Sequence, residues 1–320
     1  MKLGVLTVPL YDRPLEEALK WLHERGVQAV ELGAGGSPGK GHLDPAEYLG
    51  HPERIEELKA LLARYDITVA ALSCHGNPVH PNPDVAARDH RDFEQTVLMA
   101  EQLGVDTVVT FSGCPGGSAA DKTPNWVTCA WPDDFQRILQ YQWDEVLIPY
   151  WKKAAAFAAD HGVTRIALEM HPGFCVYNTV TLLRLRDAVG DAIGANLDPS
   201  HLIWQGTDPA EAARTLGDAI YHVHAKDTYV DMTNVRQMGV LSATPYGDIL
   251  HRPWTFRTVG YGLDESAWKA FVSMLRLVGY DRTVSIEHED ALMSVEDGLD
   301  KAIAFLRRIM AKPLNAQAWW

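Results

Sequence analysis

Four short apolar segments in the second half of the chain each carry, at or next to their end, a side chain that can bind a metal ion. These side chains are Glu169, Asp198, His224 and Glu287, in the segments 165–169, 192–198, 219–225 and 283–287. Pro199 follows Asp198, and because proline cannot donate a ladder hydrogen bond, a strand has to stop at that carboxylate. One such residue is usually a solvated group or an ion-pair partner. The same ending on four successive segments indicates a metal site.

Three carboxylates and one imidazole form a hard, oxygen-rich donor set. Such a set suits an octahedral divalent ion, Mn²⁺ or Mg²⁺ first, with Co²⁺, Fe²⁺ or Zn²⁺ able to compete, and the histidine favours Mn²⁺ over Mg²⁺. The ion would act as a Lewis acid that polarises a carbonyl and stabilises an enediolate. Glu169 and Glu287, on opposite sides of the ion, would form a pair that moves a proton at carbon.

The elements that must position these residues alternate along the whole chain. Eight β-branched segments are predicted strands, and stretches with helical periodicity lie between them; the strands are 2–8, 28–32, 68–73, 107–111, 165–169, 192–198, 219–225 and 283–287. Mostly apolar strands that alternate with helices predict a parallel sheet covered by helices. Eight such units predict a single (β/α)8 TIM barrel over residues 1–312, followed by a C-terminal tail, 313–320.

In such a barrel the carboxyl ends of all strands lie on one face, where active sites form. Glu31, His75 and His201 fall at that level and are predicted substrate contacts. Long loops are predicted after strands 2, 3, 4 and 7, and we interpret them as walls of a cleft for a sugar-sized substrate. Trp126 lies in the loop after strand 4 and is a further predicted substrate contact.

Several nearby residues are expected to be structural. Lys226 and Asp227 are predicted to form an internal ion pair. His171 and His288 directly follow metal-bearing strands, and because side chains alternate along a strand, both are predicted to face away from the site.

The composition of the chain limits the kinds of partner that it is expected to bind. The 320 residues include 29 Lys and Arg against 42 Asp and Glu, a formal net charge of −13, which disfavours nucleic acid and membrane surfaces. No apolar run approaches the roughly 20 residues that span a bilayer, and the first residues suit a strand better than a signal peptide. The four cysteines lack CxxC spacing, as expected for reduced thiols in a cytoplasmic protein. Trp319 and Trp320 in the tail are predicted either to pack on the barrel or to contact another subunit of a homo-oligomer.

With these residues in place, the chain resembles the xylose isomerase-like TIM barrel superfamily, in particular its sugar phosphate isomerase/epimerase group. The motifs that carry the resemblance are Ala167-Leu168-Glu169, Asn196-Leu197-Asp198-Pro199-Ser200-His201, Val223-His224-Ala225-Lys226-Asp227, Ser285-Ile286-Glu287 and Phe256-Arg257-Thr258-Val259-Gly260-Tyr261-Gly262. The related abasic-site endonucleases share the barrel, but they need extra histidines, and the fourth strand here ends in Phe111 and Ser112.

The resemblance implies that Glu169, Asp198, His224 and Glu287 bind the metal and that His201 touches the substrate. It also implies that Arg257, behind the insertion 228–255, holds a substrate oxygen or a metal-site carboxylate. The leading function is isomerisation or epimerisation of a keto-sugar or polyol ketone. The alternative is a carbon–oxygen or carbon–carbon lyase, a deglycosidase or dehydratase that eliminates from a 3-oxo-glycoside or inosose. A third hypothesis is a non-catalytic subunit that binds metal or sugar.

Overall fold

A computed structural model describes residues 1–310, and the chain forms a closed, parallel eight-stranded barrel. Its strands are β1 (Lys2–Leu6), β2 (Ala29–Gly33), β3 (Thr68–Ser73), β4 (Thr107–Phe111), β5 (Arg165–Glu169), β6 (Ile193–Leu197), β7 (Ile220–Ala225) and β10 (Thr283–Ile286). Each strand pairs with its neighbour in sequence, and β1 closes the barrel against β10. The predicted (β/α)8 barrel is therefore confirmed.

Helices surround the barrel and connect its strands. They are α1 (Leu15–Glu24), α2 (Pro45–Tyr48), α3 (Pro52–Arg64), α4 (Pro83–Leu103), α5 (Asp134–Gln140), α6 (Ile148–Asp160), α7 (Thr179–Val189), α8 (Pro199–Ile203), α9 (Pro209–Leu216), α10 (Met232–Met238), α11 (Glu265–Leu277) and α12 (Val295–Ile309). A π-helical segment, Tyr141–Leu147, joins α5 to α6. Among residues 1–310, none of these helices combines the length and the apolar character needed to cross a membrane.

A long loop was predicted after strand 3. The observed loop is shorter, because α4 already begins at Pro83. The Asn82 side chain accepts a hydrogen bond from the backbone N–H of Asp84, and Pro83 occupies the first turn. Both features favour a helix start. The loop therefore extends only from the end of β3 to Asn82, which holds the residues after Ser73 close to the barrel rim.

The segment after β7 contains a two-stranded antiparallel ribbon, β8 (Asp227–Val230) and β9 (Trp254–Arg257). Asp227 lies opposite Arg257 in its register, so the insertion leaves the barrel and returns to the same place. The Asp227 carboxylate accepts hydrogen bonds from the backbone N–H groups of Gly260 and Leu263, among others, and from the Trp268 indole. These bonds anchor the base of the ribbon.

The barrel interior changes character along its axis. Side chains that alternate with the helix-facing Leu72, Val108 and Leu168 form a small apolar layer of Ala71, Val109, Ala167 and Tyr221. Nearer the carboxyl ends of the strands, the buried interior is polar. The predicted tail, with Trp319 and Trp320, lies outside the described residues.

Candidate metal and substrate site

The four predicted metal ligands meet at the carboxyl end of the barrel. Glu169 ends β5, Asp198 follows β6, His224 lies in β7, and Glu287 follows β10. One ligand atom from each lies within 4.8 Å of the others. The two carboxylate oxygens of Asp198 have different partners. Oδ1 accepts a hydrogen bond from the N–H of Ser200 at 2.8 Å and caps the start of α8, whereas Oδ2 faces the cluster.

The donor atoms of this cluster are only partly satisfied by their protein neighbours. Asp198 Oδ2 and His224 Nδ1 are buried, and within residues 1–310 neither makes a hydrogen bond of regular geometry, although Asp198 Oδ2 lies 3.2 Å from Lys226 Nζ and 3.3 Å from His201 Nε2. His224 Nδ1 instead faces two carboxylate oxygens, Glu287 Oε2 at 2.9 Å and Glu169 Oε2 at 3.3 Å. Buried polar atoms rarely remain unpaired, and converging oxygens with one imidazole nitrogen suit a hard divalent cation. The cluster can hold a metal ion.

Lys226 reaches into the same cluster, which the sequence analysis missed. Its Nζ lies 2.8 Å from Glu287 Oε2, 3.2 Å from Asp198 Oδ2 and 3.2 Å from Glu289 Oε2. The predicted ion pair with Asp227 is wrong, because that carboxylate is turned to the N–H groups at the base of the ribbon. Burial alone would lower the pKa of Lys226, but the surrounding carboxylates raise it well above its usual value. Lys226 is therefore a fixed positive charge in the site.

Glu169 is held on both of its oxygens. His201 Nε2 lies 3.0 Å from Oε1, while His75 Nε2 and Asn196 Nδ2 each lie 3.1 Å from Oε2. Burial on its own would raise the pKa of Glu169, but His75, His201 and His224 hold it well below its usual value. The carboxylate is thus ionised and fixed in orientation.

Glu287 is ionised for a related reason. Burial would raise its pKa, but the Lys226 ammonium and the His224 imidazole lower it to about 2. Its side chain is 15% exposed, against 3% for Glu169, so it lies at the more open side of the cluster. Two ionised carboxylates therefore converge on Nδ1 of His224.

A second carboxylate–histidine cluster lies behind the first. Glu31 Oε2 lies 2.8 Å from His222 Nε2 and 2.9 Å from His224 Nε2, and the Ser73 hydroxyl donates to Oε1. Glu31 is completely buried. Glu31 was predicted to contact substrate. The structure instead places it behind His224, where it faces no cavity.

A cavity of about 300 Å³ opens above the metal cluster. Its walls include His75, Glu169, Lys226 and Glu287, together with Phe111 and Pro38. His171 also lines it, so the prediction that this residue faces away is wrong; His288 borders the cavity as well, but its ring lies against Gly298 of α12. The reason for the difference at His171 is that β5 ends at Glu169, and strand alternation does not extend into the loop that follows. Burial, together with the neighbouring His201 side chain, lowers the pKa of His171 to about 3, so this imidazole is neutral.

A second cavity, of about 490 Å³, lies beside the first under the inserted ribbon. Tyr246, Ile249, Thr255 and Phe256 contribute to its walls. His171 and Glu289 line both cavities. This space could not be predicted from the sequence. Residues far apart in the chain form its wall only because β8 pairs with β9.

The two remaining predicted substrate contacts lie elsewhere. Trp126 lines a separate cavity of about 270 Å³, where its ring meets Tyr177 edge-on at 5.5 Å. Arg257 Nε lies 3.1 Å from Asp290 Oδ2, which ties β9 to the segment after β10. Neither residue lines the cavity above the metal cluster.

Comparison with known proteins agrees with the resemblance stated from the motifs. The family model described as xylose isomerase-like TIM barrel matches residues 19–309. The chain is 40% identical over 315 residues to the uncharacterized protein YfiH of Bacillus subtilis (strain 168), and the match covers 98% of this chain and 100% of that protein. The predicted family is confirmed.

Two solved structures have the same fold at low sequence identity. The IOLI protein, in a structure described as having a bound zinc atom, is 18% identical with a TM-score of 0.67 and covers 99% of this chain and 100% of its own. A D-tagatose 3-epimerase-like protein is 21% identical with a TM-score of 0.63, and the match covers 97% of this chain and 98% of that one.

Proposed function

The chain belongs to the xylose isomerase-like TIM barrel family, and we propose that it is a metal-dependent sugar isomerase or epimerase. The reaction moves a proton at the carbon next to the carbonyl of a keto-sugar or polyol ketone. The observation that carries the proposal is that Glu169 and Glu287 belong to one donor cluster and also line one cavity. A binding protein does not need two ionised carboxylates at both a metal cluster and a cavity.

Glu169, Asp198, His224 and Glu287 would hold the ion, with Mn²⁺ as the favoured metal. When bound, the ion supplies a Lewis acid that makes the carbon next to the substrate carbonyl more acidic. One glutamate, as the carboxylate, takes the proton from that carbon. It can return the same proton to the neighbouring carbon; alternatively, the other glutamate, after taking a proton from water in the cavity, delivers it to the opposite face while the first glutamate releases its own proton to water. His75 and His201 keep Glu169 in position for this transfer. Lys226 lies where its ammonium can bind a substrate oxygen.

The test is deuterium uptake in heavy water by a panel of keto-sugars, after the protein has been loaded with Mn²⁺. Glu169→Gln and Glu287→Gln should each reduce uptake by about 100-fold or more, because each removes one acid–base group. Glu24→Gln is the matched control, since Glu24 is exposed on α1 and remote from the site. Uptake that survives chelation, or that persists in both variants, would contradict the proposal. It would then favour a non-catalytic subunit or a different reaction.

A second candidate, β-elimination from a 3-oxo-glycoside or an inosose, begins with the same proton abstraction. The second cavity favours it, because this space lies beside the reacting centre and has room for a leaving group. Mass analysis of the product separates the two. A product of unchanged mass indicates an isomerase or epimerase, and loss of water or of an aglycone indicates a lyase.

A further inference from the structure

The second cavity is a candidate binding site for a part of the substrate that does not react. We propose that the substrate is a glycoside whose sugar ring lies in the first cavity and whose flat, apolar aglycone lies in the second. This inference rests on the proposed function, since it takes the reacting ring to lie above Glu169 and Glu287.

The two cavities are adjacent parts of one site. His171 and Glu289 line both, and the Phe256 ring stands at the junction. The centre of that ring lies 4.7 Å from Lys226 Nζ and 5.3 Å from the centre of the His201 ring. A group attached to a sugar ring above the metal cluster would therefore reach the second cavity without crossing bulk solvent.

The chemistry of the walls favours an apolar group over a charged one. Tyr246 and Phe256 are stacked at 6.0 Å with an angle of 20° between their planes, and Ile249 and Ala291 add aliphatic surface. Flat ligand groups pack well on such rings. Arg252 is 3% exposed, and its guanidinium donates to the backbone carbonyls of Thr244 and Trp254. Two of its nitrogens thus donate within the protein, and its charge lies against the Tyr246 and Trp254 rings, which disfavours a phosphate in this space.

Size supports the same interpretation. The first cavity, about 300 Å³, lies at the lower end of the roughly 300–1,000 Å³ found for small-molecule sites. The second adds about 490 Å³. A single sugar would leave the larger part of this space to water, whereas a sugar with an attached ring would occupy both parts.

The wall of the second cavity is held in place before any ligand binds. Arg252 lies between Tyr246 and Trp254, at 4.1 Å and 4.4 Å from the ring centres. Trp254 stacks on Trp204 at 4.5 Å with nearly parallel planes. Because these contacts fix the ribbon, less ordering is required when a ligand binds.

The proposal can be tested by calorimetric binding to the full-length, Mn²⁺-loaded protein. The probes are matched phenyl and methyl β-glycosides of D-glucose, D-galactose and D-mannose. For at least one sugar, the phenyl glycoside should bind about three- to tenfold more tightly than its methyl counterpart, because only the phenyl ring reaches the aromatic wall.

Two neighbouring residues provide the matched variants. Ile249→Ala should remove the phenyl preference and leave the methyl glycoside affinity unchanged, since Ile249 lines only the second cavity. Leu250→Ala should change neither affinity, because Leu250 is 78% exposed and lines neither cavity. Tyr246→Ala should act like Ile249→Ala.

The proposal is overturned if no phenyl glycoside of the panel is preferred, or if Ile249→Ala weakens both glycosides equally. Deuterium uptake by keto-sugars, measured on the same preparation, separates this failure from that of the proposed function. Uptake without a phenyl preference contradicts only the aglycone site. A phenyl preference without uptake contradicts only the proton transfer.

Discussion

Two carboxylate–histidine clusters share His224, yet in the described part of the chain only one of them borders the cavity of about 300 Å³ at the carboxyl end of the barrel. Behind the imidazole, Nε2 faces Glu31, which is also in contact with His222 and Ser73. In front of it, Nδ1 faces Glu169 and Glu287 without a hydrogen bond of regular geometry to any residue of the described part of the chain. The rear cluster is completely buried, and the front cluster borders a cavity.

The difference shows that residue type alone does not define a site. The front cluster combines three carboxylates with one imidazole and the rear cluster one carboxylate with two imidazoles, and in each the ligand atoms lie within 4.8 Å of one another. The rear cluster has its polar atoms paired and orients His224, as carboxylates behind metal-binding histidines commonly do. The front cluster keeps donor atoms without a regular hydrogen bond within residues 1–310 and borders a cavity. Variants of the front cluster should therefore change metal binding first, and variants of the rear cluster should change stability as well.

The largest effect is expected for Asp198→Asn in the front cluster. The substitution replaces the charged Oδ2, which faces the cluster, by a neutral group, so we expect Mn²⁺ affinity to fall by more than the roughly 100-fold that marks the upper range for residues behind a ligand. Titration of the metal-free protein with Mn²⁺ measures this. Asp218→Asn is the control, since Asp218 is exposed at the opposite end of β7. Equal affinities in the two variants would remove Asp198 from the ligand set.

Metal removal should produce the next effect, on stability. A ligand that binds only the folded state at a thousand times its Kd adds about 4 kcal/mol to the free energy of unfolding. Treatment with a chelator should therefore lower the melting temperature of the native protein. The Asp198→Asn variant should melt at the same temperature with and without chelator. A chelator effect of full size in that variant would show that the ion binds elsewhere.

Glu31→Gln in the rear cluster should have a smaller effect on the metal. The carboxylate of Glu31 faces both histidines with charged oxygens, and the neutral amide of glutamine cannot do so. The orientation of His224 is then less well defined, and we expect Mn²⁺ affinity to fall about 10- to 100-fold. The same change should also lower the stability of the metal-free protein, because it leaves buried donors poorly paired. Denaturant unfolding with and without metal separates these contributions. A loss of affinity without a loss of stability would place Glu31 among the ligands.

The smallest effect on the metal is expected for His222→Gln. His222 contacts Glu31 and lies edge-on to the His224 ring at 5.5 Å, but it offers no ligand atom to the front cluster. Its loss should therefore lower the free energy of unfolding by about 1–3 kcal/mol, the usual penalty for an unpaired buried group. The Mn²⁺ affinity should change less than in Glu31→Gln. If His222→Gln abolished metal binding, the division into a front and a rear cluster would be wrong.

Much of this arrangement could be predicted from the sequence, because strand ends are visible as patterns. The four donors each terminate an apolar segment, and parallel strands in a barrel place such ends together. The fold follows from the same alternation. Glu31 was also recognisable as a strand-end carboxylate, but nothing in its local sequence indicates whether it faces a cavity or the back of His224.

The residues that were missed depend on loops and on distant pairing. His171 lies just beyond a strand end, where the chain no longer alternates, so its direction could not be read from position. Lys226 could have paired with its neighbour Asp227, and only the turn of that carboxylate toward the base of the ribbon decides otherwise. Tyr246 and Ile249 reach the site through the antiparallel register of β8 and β9, for which the sequence offers no hairpin signal.

The shared base of the ribbon has a consequence for how the protein can evolve. Asp227 and Arg257 lie opposite each other, so the segment between them leaves and rejoins the barrel at one point. Its length and composition can therefore change while His224 and Glu287 keep their positions. In a family built on one barrel, such a segment is a replaceable module that can diversify by insertion or exchange between relatives. Transplanting residues 228–256 into a related barrel would be a direct route to a new substrate range.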